Sequence, residues 1–136
     1  MADWGDLVAY IRHSYDVIQY APDEVRIRVS FAKDEDDILG RQQIMVVAHE
    51  VLDQKEDWVQ IATPFARVEQ VDLREVLAEA GDTTVVGGVV AMGDFLVLRH
   101  SLPLINLDIN EFTDPLHLVA SAAEQLEHRF TGRDEY

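Results

Sequence analysis

Five histidines, 26 carboxylates and four serines are the groups in this 136-residue sequence on which acid–base, metal or nucleophilic chemistry would rest. Their spacing does not assemble them. His13, His49, His100, His117 and His128 are scattered, and no two have the helical spacing of metal ligands. Glu124 and His128 stand four apart and suit an ordinary contact along a helix. A two-metal carboxylate site would want two Glu-x-x-His units, and the sequence has none. Ser14, Ser30, Ser101 and Ser121 lack the glycine context of a nucleophile elbow. His100 and Ser101 are sequence neighbours near a strand end, so they should point to opposite faces of a sheet. The run Asp34-Glu35-Asp36-Asp37 resembles the start of a calcium loop, but Ile38, Leu39 and Met45 fall where an oxygen ligand, a glycine and a glutamate are needed. Gly88 to Asp94 has the glycine spacing of a phosphate loop without its lysine and hydroxyl residue. These failures predict no catalytic residue, no metal and no cofactor.

Composition narrows the partners. With 11 Lys and Arg against 26 Asp and Glu, the formal net charge is −15. Such a surface repels nucleic-acid backbones and anionic lipid heads. The 48% hydrophobic content suits one folded domain spanning 1–136. No apolar run approaches the roughly 20 residues needed to span a bilayer. There are no cysteines, and Met1 to Asp6 has no basic stretch leading into an apolar one. A cytoplasmic location is therefore expected.

The elements that position these residues follow from periodicity. Asp3 or Asp6 can cap a first helix carrying Leu7, Val8, Ile11 and Tyr15 on one face and fading near Ser14 to Asp16. Val17 to Tyr20 fits either its frayed end or a short strand. Val25 to Phe31 alternates strictly, with Val25, Ile27, Val29 and Phe31 inward. Lys33 to Asp37 is a charged turn. Ile44 to Leu52 is a strand apolar on both sides, and Trp58 to Thr63 is a third, which gives an antiparallel meander. Val71 to Gly81 is a short helix with Leu73, Val76, Leu77 and Ala80 as its apolar stripe and Gly81 as its stop. Val85 to Met92 and Phe95 to Leu102 form a hairpin. A long helix follows, capped by Thr113 or Asn110, with Pro115 in its first turn and Gly132 at its end. Phe112, Leu116, Val119, Ala120, Ala123, Leu126 and Phe130 line one of its faces. The expected fold class is α+β, an antiparallel five-stranded sheet with helices on one face, in the order α-β-β-β-α-β-β-α.

Three stretches then carry a resemblance that runs from about Leu7 to Phe130. They are Trp58 to Phe65, Asp72-Leu73 through Ala80-Gly81, and a third group made of Gly87-Gly88, Phe95 to Arg99, Leu102-Pro103-Leu104, Leu107-Asp108 and Glu111-Phe112. On these the chain resembles the YbjN-type members of the type III secretion chaperone-like superfamily. The resemblance implies a small, acidic, often dimeric protein that holds other polypeptides in extended form or serves as a peptide-binding or sensory regulator, with no established catalytic residues.

Three helices, two of them short, cannot cover both faces of such a sheet, so one face should stay partly open. Strand periodicity puts Arg26, Arg28 and Ser30 on that outer face, and Arg99 joins them from the last strand. One apolar set of the second strand must lie beside them, and Met45 and Val47 are the expected pair. Exposed Met and Val next to Arg would suit an adaptable peptide surface. The expected function is a non-enzymatic, chaperone-like module that binds an extended polypeptide on the open face or at an edge. It is expected to be a homodimer, and a subunit interface would draw on the same residues. The rival is a sensory or regulatory domain with a small ligand between sheet and helices.

Overall fold

A computed structural model describes residues 3–31 and 42–132 of the chain. The charged turn expected at Lys33 to Asp37 lies outside these residues. The elements are α1 (Trp4–Ser14), β1 (Asp16–Ala21), β2 (Glu24–Ser30), β3 (Gln42–Leu52), β4 (Glu56–Arg67), a 3-10 turn at Val68–Gln70, α2 (Leu73–Thr83), β5 (Gly88–Met92), β6 (Phe95–Pro103) and α3 (Ile109–Thr131). The strands form one antiparallel sheet in the order β1-β2-β3-β4-β6-β5. The α+β class holds, but the sheet has six strands rather than five. The extra one is β1. Its residues are mostly exposed, so they carry no alternation to read, and only pairing with β2 (Val17 opposite Ile27, Tyr20 opposite Val25) makes them a strand.

Local chemistry explains most boundaries. Asp3 caps α1 by accepting the Asp6 N–H at 2.8 Å, and Asp72 caps α2 through the Glu75 N–H at 3.2 Å. Helix α3 begins earlier than expected. Asp108, not Thr113 or Asn110, is its cap, and the Asp108 N–H donates to Glu111 at 3.2 Å. Pro115 consequently sits in the second turn, where it forgoes one helical hydrogen bond. Gly81 does not stop α2, which continues to Thr83, whereas Gly132 ends α3 with φ 69°. The two-residue turn between β5 and β6 uses Gly93 at φ 61°.

One side of the sheet carries the core. Val25, Ile27 and Val29 of β2, Met45 and Val47 of β3, Val59, Ile61 and Phe65 of β4, and Leu96 and Leu98 of β6 pack under Leu7 and Ile11 of α1 and the face of α3 running from Phe112 to Leu126. This corrects the expected exposure of Met45 and Val47, both 0% exposed. The residues beside Arg26 and Arg28 are Val46 and Ile44. The cause is register: Ile27 pairs with Met45 and Val25 with Val47, so those two must share the inward side of β2. The stripe expected on α2 is also largely uncovered, because only Val76 is buried while Leu73 and Leu77 are exposed. Among the described residues no helix is long and apolar enough to cross a membrane.

Candidate functional site

The uncovered side of the sheet is built by the alternate residues of the same strands. Across it run three rows fixed by strand pairing. Glu24, Ala48, Gln60 and Ser101 form the first, Arg26, Val46, Ala62 and Arg99 the second, and Pro64, Val97 and Val90 part of the third. Small and apolar side chains at the centre leave a shallow trough of about 460 Å³, walled by Arg26, Val46, Ala62, Pro64, Met92 and Phe95 among others. A bulge in β4 between Pro64 and Ala66 shapes one end. There Phe65 and Ala66 are both buried, and the alternation resumes with Arg67 beside Phe95 on the open side.

The trough has an unusual electrostatic setting for so acidic a chain. Four of the eight lysines and arginines among the described residues, Arg26, Arg28, Arg67 and Arg99, sit on this one face. Three are held by local carboxylates: Arg26 by Glu24 at 3.2 Å, Arg28 by Asp16 at 3.3 Å, and Arg67 by Glu69 at 2.9 Å and Asp94 at 3.7 Å. The Arg67 guanidinium also lies 5.0 Å above the Phe95 ring, and its hydrogen bond holds the Glu69 carboxyl below its ordinary range. Arg99 is exposed and has no ion pair among the described residues. All four pairs are exposed, so each arginine can exchange its partner for another carboxylate.

Of the five residues expected at a binding surface, Arg26, Arg28 and Arg99 lie on the open side, and Met45 and Val47 do not. Sequence reasoning missed Val46, Ala62, Pro64, Phe95 and Val97. Their signal was present, since Gln60, Ala62 and Pro64 alternate with Val59, Ile61 and Thr63, but small and apolar residues on an outer face look like core. It also missed Gln43, which is wholly buried on the helix side. Gln43 donates from Nε2 to Thr63 Oγ1 at 2.7 Å and to the Pro64 carbonyl at 2.9 Å.

The histidines are not gathered. His49 lies between two carboxylates, with Nε2 2.8 Å from Asp57 and Nδ1 3.4 Å from Asp23, and it stacks on Trp4 with 5.4 Å between ring centres. Burial works against its charged form, but the hydrogen bonds and charges of Asp57 and Asp23 prevail and raise its pKa above the ordinary value. Trp4 in turn donates to the Pro22 carbonyl at 2.8 Å, so this cluster ties α1 to the β1–β2 turn and to β3. His117 meets the Tyr15 hydroxyl at 3.1 Å; burial, with help from Tyr10, pushes the Tyr15 pKa to about 12. Burial lowers that of His100. His100 pairs with the core residue Ile61, while Ser101 is exposed beside Gln60, so they occupy opposite faces. No group of three or more metal-ligating side chains forms among the described residues. The glycine pair expected to allow a close backbone approach does so at Gly87, with φ 91°, where a Cβ would lie 3.0 Å from the Arg99 carbonyl oxygen.

A scan against protein-family models finds no match, and a search of curated proteins finds none either.

Proposed function

We propose that this chain is a non-enzymatic, chaperone-like module that binds an extended polypeptide on the open face of its sheet. The carrying observation is the trough itself. It is an apolar floor of Val46, Ala62, Pro64 and Val97 with Arg26 in its wall and Arg99 at the far end of the Arg26 row, in a chain of net charge −15. An apolar segment flanked by acids complements that arrangement through Arg99 and the terminal nitrogens of Arg26. Val59, Leu98 and Phe112 have no exposed surface, which weighs against a small ligand held between sheet and helices. The reading agrees with the chaperone-like resemblance and with a cytoplasmic location. Panning of a random-peptide library tests it. Wild type should enrich peptides with an apolar residue near Asp or Glu, and Val46→Lys, which fills the trough, should lose them. Enrichment unchanged by Val46→Lys would refute the site.

We propose further that a homodimer forms elsewhere, at the β5 edge. Strand β5 reads Gly-Val-Val-Ala-Met, without charge or proline to guard its outer side, which pairs with no strand among the described residues. Leu73, Leu77 and Val85 are exposed close by in sequence. A second β5 related by a two-fold axis would pair with that edge and bring the two α2 helices together. Light scattering should give twice the 15.4 kDa chain mass for wild type and the single mass for Leu77→Asp.

A further inference from the structure

We infer that the open face selects its peptide by charge spacing, favouring an extended segment with two carboxylates four residues apart and an apolar residue midway. The inference rests on the docking proposed above and adds a sequence rule to it. Register sets the rule. Arg26 stands opposite Val46, Val46 opposite Ala62, and Ala62 opposite Arg99, so the two arginines end a straight row across four strands. Three inter-strand steps separate their Cα atoms by about 14 Å. An extended chain laid along that row advances about 13 Å in four residues, and its residues i, i+2 and i+4 all face the sheet. Carboxylates at i and i+4 therefore reach Arg26 and Arg99 together. Residue i+2 then falls over Val46 and Ala62, at the floor of the trough.

Both ends of the row can take a carboxylate. Arg99 is exposed with no ion pair among the described residues, and its neighbour in the row beyond is Gly88, which has no side chain to crowd it. Arg26 uses only Nε on Glu24, which leaves its two terminal nitrogens to donate. Separations of two or six residues would put the acids about 7 or 20 Å apart, so only one could meet an arginine at a time.

Fluorescence anisotropy on the full chain is the test. It would use synthetic peptides of identical composition with two glutamates placed two, four or six residues apart around a leucine. The four-residue spacing should bind roughly threefold tighter than the others, as one additional exposed arginine–carboxylate pair would give. Arg99→Gln should abolish that preference and leave the weaker binding in place. Backbone amide shifts of Val46 and Ala62 on titration separate the two readings. Equal binding of all three peptides with those amides shifting would overturn the spacing rule and keep the docking site. Shifts confined to β5, or no binding of any peptide, would overturn both.

Discussion

Strand β3 is apolar on both sides, and the fold uses the two sides for opposite purposes. Met45 and Val47 vanish under α3 and α1, while Val46 and Ala48, one residue out of phase, floor the open trough, with Ile44 on the same side. Composition does not separate the two sets. What separates them is the one-residue phase of the β2–β3 register, because a strand's side-chain period is two and a slip of one exchanges its faces. The polar residue on the covered side, Gln43, sharpens the point. Its Nε2 is satisfied by Thr63 and by the Pro64 carbonyl next to the β4 bulge, while its Oε1 is buried without a partner among the described residues.

The largest expected effect comes from placing a charge on each side of β3 in turn. Met45→Lys should cost more than about 4 kcal/mol and abolish cooperative urea unfolding, because the ammonium has no partner in the core. Val46→Lys should stay within about 1 kcal/mol of wild type, because Val46 is only half-buried and the ammonium can reach solvent from the open side. Equal losses would break the comparison.

Gln43→Ala comes next. It removes the donor to the buried Thr63 hydroxyl and to the part-buried Pro64 carbonyl, for an expected loss of about 1–3 kcal/mol by denaturant titration. No loss would mean that water reaches this part of the covered side.

The His49 cluster predicts how the covered side responds to pH. Its folded pKa is raised, so the stability it contributes is fully present below the unfolded value of about 6.5 and is lost as pH rises through the folded value. Thermal melts between pH 5.5 and 8 should show wild type losing stability with rising pH relative to His49→Gln. A constant difference between the two across that range would refute the charged His49 bridge.

Arg26→Gln should have the smallest effect on stability, within about 0.5 kcal/mol, because its pair with Glu24 is exposed. A loss of several times that in a melting experiment would show that the open side carries structural weight as well.

Much of this molecule was readable along the chain. Three helices, the β2–β3–β4 meander, the turn at Gly93, the end of α3 at Gly132 and the apolar face from Phe112 to Leu126 all follow from short-range spacing and turn chemistry, which act within a few residues. Arg26 and Arg28 of the open side were equally legible, because β2 alternates without ambiguity, whereas Arg67 was missed because the β4 bulge shifts its phase. Sequence alone misplaced Met45 and Val47, left β1 undecided, started α3 too late and ended α2 at Gly81. Those decisions need groups far apart in the chain. An edge strand exists only once β2 offers hydrogen bonds, and a strand apolar on both sides acquires an inside only when its register with a neighbour is set. The trough between Arg26 and Arg99 is likewise a product of pairing, since four residues from four strands meet in one row only after the sheet has formed.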